Sequence, residues 1–323
     1  MAVPERIPAQ EFERRRARVR ESMASTRIGA AVITAPEDVY YLSGLRNQGH
    51  FVFTALVLDT RSATTTWRGL DRRLRSPEWT DCSGVLTAAQ ALRSEHEIAC
   101  LREAGRLSDI GMRAGIAAAA GRCAGGEIVG AVLDAMLSAG SDYPGFVPLA
   151  RPVQRIRQEH VAWTDEPVTA ADALFLELSA AVARYHAPLG RTVHPHGTGG
   201  GGAADIAHSG LDAITAGLSP GRTAQDVYRD WKGTIEALLG RAYQRHHCGY
   251  SVGIGFPPSW MSGRVDGLRP GQETALRTGM TFHIQSWVVD PRVGTHAISD
   301  TALVTEHGGE LLTAAPRDPA RPG

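Results

Sequence analysis

Ala171 to Val193 reads ADALFLELSAAVARYHAPLGRTV. The pattern is a strand, a bend, a second strand and a polar corner, and it brings Glu177, Tyr185, His186 and Arg191 close together in sequence. Glu177 follows the apolar run Leu174–Leu176, so it starts inside a buried strand. A buried carboxylate needs a partner or a raised pKa. Such a group suits a base that activates water, or an anion that binds a cationic substrate. The plainer reading is a structural ion pair with Arg184 or Arg191, and the functional one is favoured. Adjacent strand residues point to opposite faces, so one of Tyr185 and His186 is expected to face a pocket, and the sequence leaves open which. Arg191 reads as structural.

Working outward, strand-rich sequence fills residues 146–193. Ahead of it, Ser94 and Glu97 have the spacing of a capping box that opens a long helix. Ile98, Leu101, Leu107 and Ile110 form the apolar side of that helix. Gly125-Gly126 breaks it, and Glu127 to Ala139 predicts a second helix. Behind the central stretch, GTGGGG at 197–202 lacks the Gly-Lys-Ser/Thr ending of a phosphate loop and reads as a linker. Ala203–Ala216 and Thr223–Leu239 predict another helix pair, and 248–305 is again strand-rich. Helix, helix, strands therefore occurs twice, over 94–193 and 203–311.

Residues 1–93 predict a small α/β domain. Phe12, Val19 and Met23 share one helical stripe within 10–25. Ala30 to Thr34 reads as a short buried strand. Pro36, Glu37 and Asp38 turn the chain, and a new element runs from Val39 to Leu42 and ends at Gly44. Phe51 to Leu58 is a strong strand signal. The segment from Trp67 to Ala91 has few periodic signals and is expected to be loop-rich. At the other end, 314–323, AAPRDPARPG, predicts a disordered tail.

Composition excludes some classes. The 323 residues are 43% hydrophobic and 21% charged, which is ordinary for a globular chain. Lys plus Arg and Asp plus Glu are both 34, so no net field favours nucleic acid or an acidic membrane. No apolar run approaches the roughly 20 residues of a membrane span. The first residues are charged and lack the apolar core of a signal peptide. Cys82, Cys100, Cys123 and Cys248 form no C-x-x-C pair. Scattered thiols suit a reducing compartment, and the cytoplasm is the expected location.

The double layout, opened by SEHEIACLREAGRLSD at 94–109, resembles the pita-bread family of methionine aminopeptidase, aminopeptidase P, prolidase, creatinase and ectoine hydrolase. The resemblance implies an α+β pita-bread catalytic domain over 94–313 and a shortened creatinase-type N-terminal domain over 1–93. Metallopeptidases of that family hold two metals with two Asp, one His and two Glu. The segments ELSAAVARYHAPLGRTV, GYSVG, GMTFHIQ and AISDTALVTEHG align with the ligand segments. The resemblance puts Glu177, Pro188, Tyr250, Gln285 and Ser299 at the five ligand positions. A dinuclear centre needs anionic oxygen donors and imidazole to offset the metal charge. Pro has no side-chain donor, and Gln, Ser and Tyr are poor substitutes, so the expected cofactor is none. HVAWTDEP, GYSVGIGFPP, LRPG and GMTFH look most like ectoine hydrolase. That enzyme and creatinase are the family's metal-free hydrolases, and both cleave a C–N bond at an amidine-like carbon. This chain departs from ectoine hydrolase-like sequences at Ser299, where they keep an acidic residue, and at Ser286-Trp287, where they carry Pro-Gly.

The resemblance also implies roles. His160, in QEHVAWTDEP, stands where the family has its catalytic histidine, and a neutral imidazole can move a proton near pH 7. As a bare residue it is equally a loop histidine bonded to backbone. His246 stands near a second family histidine, whereas His247 is expected to be exposed. His-His-Cys in immediate succession does not converge on one metal ion. Tyr250 suits hydrogen bonding to a developing oxyanion, or a place in the core. His283, Gln285 and Ser299 are expected along the same wall, with Tyr185, His186 and Arg46 as further substrate contacts. Trp260 and Trp287 suit a lid or core, or stacking on a planar cation. The expected activity is metal-independent hydrolysis of a small cationic or zwitterionic cyclic amidine, guanidine or amide. Cyclisation, elimination or rearrangement of an amino-acid-derived intermediate is the alternative, and a binding module without catalysis is a third. A homodimer is expected, with the region from Arg46 to Phe51 reaching the partner's site.

Overall fold

The computed structural model describes residues 7–45, 55–60, 81–121, 124–158, 161–163, 173–194, 201–261 and 267–317. The N-terminal part comprises α1 (Ala9–Ser25), β1 (Ala30–Ile33), α2 (Pro36–Ser43), β2 (Leu56–Asp59) and α3 (Ser83–Ala91). A first helix pair, α4 (Glu95–Ala119) and α5 (Gly125–Ser138), leads into β3 (Leu149–Pro152), β4 (Leu174–Leu178), β5 (Ala181–Val182), β6 (Tyr185–His186) and β7 (Leu189–Val193). A second pair, α6 (Gly201–Gly217) and α7 (Ala224–Leu239), leads into β8 (Gly249–Ser251), β9 (Thr281–Asp290), β10 (Gly294–Thr305) and β11 (Gly308–Leu311). The twofold layout expected from sequence is therefore present.

The two halves share one antiparallel sheet of order β3-β4-β7-β10-β9-β8, with β11 added on β10. Strand alternation assigns the faces. Leu174, Leu176 and Leu178 pack with Ile128, Val132 and Met136 of the first helix pair. Ile284, Val288 and Ile298 pack with Leu211, Trp231 and Ile235 of the second pair. Each such fully buried side chain contributes about 1.5–3 kcal/mol. Both helix pairs thus cover one face. The other face carries Glu177 opposite Gly190, and Gln285 opposite Ser299. Phe175, Trp287 and Ala297 form a small apolar patch there with Val153 and Ile156.

Two glycines set how closely helices approach. A Cβ on Gly111 of α4 would lie 2.6 Å from Met136 Cγ of α5, and one on Gly210 of α6 would lie 2.8 Å from Ile235 Cδ1 of α7. Such distances have no room for a methyl group.

The capping box at Ser94 is formed: Glu97 N donates to Ser94 Oγ, and Ser94 N donates to Glu97 Oε2 at 2.8 Å. The apolar stripe predicted on α4 is only half right. Leu101 and Leu107 are buried, but Ile98 and Ile110 are partly exposed, while Ser108 and Asp109 are buried. Ser108 Oγ donates to Ala187 O, and Asp109 accepts from Ala314 N and Ala315 N. Polar burial of this kind follows from long-range partners that a helical pattern cannot show. Pro36–Ser43 is one helix rather than a turn plus a new element, with Pro36 in its first turn and Gly44 closing it at φ 74°. Ser83–Ala91, inside the expected loop, is a helix burying Leu86, Ala89 and Gln90. α5 begins at Gly125, and α6 at Gly201, inside the expected linker. The predicted strand start at Phe51 and the stretch 67–80 lie outside the described residues.

The expected tail is ordered at its beginning. Arg191 binds Pro316 O and Ala315 O, and also Asp300 Oδ1 at 2.8 Å. Arg317 pairs with Asp212. Residues 318–323 lie outside the described residues. Arg191 is thus a structural hub, as expected, and is not the partner of Glu177. Nor is Arg184, which binds Gly255 O and Tyr143 O.

Candidate active site

A cavity of about 590 Å³ opens on the uncovered face of the sheet. Glu177 of β4 and Gln285 of β9 form its floor, with Tyr250 of β8 and the aromatic residues Phe146, Trp260 and Trp287 among its walls. Strand spacing explains the floor. Glu177 and Gln285 both fall on the face opposite the leucines and isoleucines that pack under the helices.

Their side chains meet. Gln285 Nε2 donates to Glu177 Oε1 at 3.3 Å. His283, two residues earlier on β9, lies behind them. One of its ring nitrogens, Nδ1, is 2.8 Å from the Tyr250 hydroxyl, and the other, Nε2, is 2.8 Å from Ser299 Oγ. Nε2 is also 3.8 Å from Glu177 Oε1. Trp260 Nε1 donates to the Tyr250 oxygen at 3.0 Å. Burial, then the neighbouring His247 and Arg191, pushes the His283 pKa down to about 3. The ring is therefore neutral near pH 7, and each nitrogen has a hydroxyl within reach.

Two tautomers satisfy this chain. If Nδ1 carries the proton, the Tyr250 oxygen accepts from both His283 and Trp260, and its own proton serves on the donor side. Ser299 then donates to Nε2. Hydrogen bonds accepted by a phenol oxygen strengthen it as a donor. The arrangement can offer a proton to a substrate nitrogen or oxygen, beside a carboxylate that can hold a water or a cation.

Several expected site residues lie elsewhere. His283 and Ser299 are fully buried and stand behind the cavity wall rather than on it. Neither Tyr185 nor His186 faces the cavity, although alternation required one of them to face it. Tyr185 donates to Glu97 Oε1 at 2.6 Å and accepts from buried Arg15 at 3.1 Å. His186 Nε2 accepts from Gly145 N at 2.8 Å, and Nδ1 faces Arg184 O at 2.8 Å. That bond holds the segment carrying Phe146. The two residues sit on a separate two-stranded hairpin, β5–β6, whose turn residues Ala183 and Arg184 have φ of 48° and 65°. The hairpin carries both side chains off the main sheet, where its alternation no longer applies. His160 and Arg46 lie outside the described residues.

Of the histidine pair, His247 departs from expectation. His246 lines the cavity but is exposed, whereas His247 is partly buried, with its ring 5.7 Å from that of Tyr250. Burial, then the nearby Arg245 charge, pushes the His247 pKa down to about 3. Cys248 packs in the core under α6 and α7, which removes it from any shared site with the histidines. Arg245, stacked 3.8 Å from the Trp287 ring centroid, and Phe146 line the cavity without having been singled out in the sequence. Nothing in their spacing marks them; they reach the cavity from loops.

Residues 99–306 match metallopeptidase family M24, and residues 15–67 match the creatinase/prolidase N-terminal domain. The chain belongs to metallopeptidase family M24. An uncharacterised hydrolase/peptidase of Sinorhizobium fredii is 27% identical over 303 residues, covering 87% of this chain and 76% of that protein. The ectoine hydrolase of Halomonas elongata is 34% identical over 190 residues, which is 55% of this chain and 44% of that protein. Among solved structures, the prolidase of Pyrococcus horikoshii superposes with a TM-score of 0.78 at 19% identity, covering 94% of this chain and 99% of that one. That likeness establishes the pita-bread fold with its N-terminal domain.

Four of the five positions aligned with the family's metal ligands, Glu177, Tyr250, Gln285 and Ser299, converge in space around the His283 ring. The fifth, Pro188, lies just before β7 and presents its carbonyl to Thr301 Oγ1 at 2.7 Å. Together these positions carry one carboxylate. Among the described residues, no cluster of three or more His, Cys, Asp or Glu could hold a metal ion.

Proposed function

We propose that this M24 protein hydrolyses a non-peptide C–N bond in a small cationic or zwitterionic amidine, guanidine or amide, and does so without the family's metal pair. One observation carries the proposal: an imidazole, His283, occupies the middle of the former ligand positions and is bonded to two of them. One carboxylate, one amide and two hydroxyls do not offset two divalent charges. The hydroxyls of Tyr250 and Ser299 form a neutral hydrogen-bond chain with His283, and Gln285 donates to the Glu177 carboxylate beside it. The residues present do not fit a dinuclear centre.

The chemistry follows from the cavity floor. Glu177 accepts a proton from water as the water oxygen attacks the electrophilic carbon. Tyr250 donates to the nitrogen that gathers charge as the tetrahedral intermediate forms. Collapse breaks the C–N bond, and the leaving nitrogen takes the second proton. His160 is the proposed shuttle for that proton, by the resemblance of its flanking sequence. Gln285 orients Glu177, and His246 borders the entrance. The likeness to ectoine hydrolase supports an amino-acid-derived cyclic substrate. A homodimer in which Arg46 reaches the partner's cavity is proposed on the same basis.

The test is product mass. Purified protein is incubated with ectoine, creatine and related amidines and guanidines after exhaustive chelation. A ring-opened product heavier than its substrate by one water, or two fragments whose masses together exceed the substrate by one water, supports hydrolysis. A product of equal mass, or lighter by one water, replaces hydrolysis with rearrangement or cyclisation. Activity that appears only on adding back a divalent metal overturns metal independence.

A further inference from the structure

A second cavity, of about 270 Å³, lies where the N-terminal part meets the catalytic part. This is near the lower end of cavities that take small ligands, roughly 300–1,000 Å³. Glu37 and Asp38 reach it from α2, Thr87 and Gln90 from α3, and Met280 and Phe282 from the start of β9. Arg93, in the link between α3 and α4, also lines it.

Both charge signs are built into the wall. Arg93 is only 8% exposed. Its Nε donates to Thr281 Oγ1, its Nη1 to Gln90 O and its Nη2 to Val252 O. These bonds use three of the five N–H groups of a guanidinium, and a carboxylate can take the other two. Gln90 links the two signs: its side chain donates to Asp38 Oδ1 at 2.5 Å, while its backbone carbonyl holds Arg93. The Asp38 carboxylate and the guanidinium are therefore separated by the length of one glutamine residue, and Glu37 precedes Asp38 on α2. Glu37 lies in the first turn of α2, where an acidic residue is favoured, and it also lines this partly open cavity; backbone hydrogen bonds from Glu37 and Phe256 and the Arg184 charge hold its carboxylate. Burial raises the Glu37 pKa, so a cation there would relieve a standing cost. Met280 and Phe282 supply apolar wall between the charged ends.

We infer that this junction cavity binds a short zwitterion whose ammonium and carboxylate are separated by a methylene chain. The ammonium lies at Glu37 and Asp38, and the carboxylate at Arg93. The cavity also backs onto the active site. Ser251 pairs with Phe282, and both line the junction cavity; the next pair, Tyr250 with His283, belongs to the proton chain. Alternation puts the two pairs on opposite faces of the same two strands. A ligand in the junction thus presses on the strand pair that positions Tyr250. The inference stands on this cavity and does not depend on the reaction proposed above.

The probe is ε-aminocaproate, titrated calorimetrically into the full chain, with no assay of turnover. L-Norleucine is its isomer with adjacent charges; hexanoate and hexylamine each keep one charge. The expected result is binding at one site, about tenfold or more tighter than any of the three controls. Glu37→Gln is expected to weaken binding by about tenfold, and Thr87→Trp, which fills the cavity, to abolish it. Both substitutions leave the active-site cavity untouched, and Glu37→Gln adds no bulk, so it serves if Thr87→Trp does not fold. No binding by ε-aminocaproate, equal binding by a single-charge control, or binding undiminished in Glu37→Gln or Thr87→Trp overturns the inference.

Discussion

The Tyr250 hydroxyl lies 2.8 Å from Nδ1 of His283, on the adjacent strand, and 3.0 Å from the indole nitrogen of Trp260. A phenol held at both sides and partly open to the cavity is fixed in position, and with the proton on His283 Nδ1 its hydroxyl hydrogen acts as a donor. Tyr250→Phe removes that hydrogen and leaves the His283 and Trp260 contacts unmade. Turnover is expected to fall about a hundredfold with little change in KM. Stability should drop by about 1–3 kcal/mol for the partners left unsatisfied. Steady-state kinetics and urea unfolding of the same preparation check both. Undiminished kcat would remove Tyr250 from the mechanism.

Glu177 is the one carboxylate among the positions aligned with the family's metal ligands. If it activates water, Glu177→Gln keeps shape and loses basicity, and kcat is expected to fall by about a thousandfold. Chelation of the parent protein should change nothing. A different pattern, in which chelation abolishes turnover and manganese or cobalt restores it, would return Glu177 to metal binding.

Much of this arrangement was legible in the sequence because regular spacing carries it. The repeated helix, helix, strand order, the capping box at Ser94 and the buried strand before Glu177 all follow from local patterns with one physical cause each. The convergence of Glu177, Tyr250 and Gln285 needed the resemblance as well, since they come from three strands far apart in the chain. What stayed hidden depends on distant partners. Tyr185 and His186 look like site residues beside Glu177, but the β5–β6 hairpin turns them toward α4 and the Gly145 segment. His246 and His247 are indistinguishable by spacing, and only the fold decides that His247 packs against Tyr250. Arg245 and Phe146 arrive from loops, where no periodicity reports direction.

Tyr185 supplies a contrasting expectation. Its hydroxyl bridges Glu97 and Arg15, joining the catalytic part to α1. Arg15 is fully buried, and it also binds Glu11 and the Tyr41 carbonyl. Tyr185→Phe removes hydrogen bonds to charged groups, each worth about 1.5–3 kcal/mol. The expected outcome is a lower unfolding midpoint in urea with unchanged KM for any substrate found. A raised KM with unchanged stability would restore Tyr185 as a substrate contact.

Acid sensitivity follows from three fully buried histidines, His186, His283 and His296. Burial pushes each pKa down to about 3; the next contributions come from Arg184 at His186, from His247 and Arg191 at His283, and from His208, His194 and Arg191 at His296. Above about pH 6.5 both folded and unfolded forms are neutral at these positions, and there is no effect. Below that, the unfolded chain takes up protons that the folded chain refuses, so stability falls as pH falls and levels off only near 3. Each such group adds a slope of up to about 1.4 kcal/mol per pH unit within that window. His296 is the most informative of the three, because neither of its ring nitrogens has a hydrogen-bond partner among the described residues. His296→Leu keeps apolar bulk and removes two unsatisfied polar atoms. At pH 7 it is expected to leave stability unchanged or raise it, since no hydrogen bond is lost. At pH 5 it should be more stable than the parent, with the acid slope reduced by one proton. Urea unfolding at several pH values measures that slope directly. A variant as acid-sensitive as the parent would mean that His296 takes up its proton in the folded state.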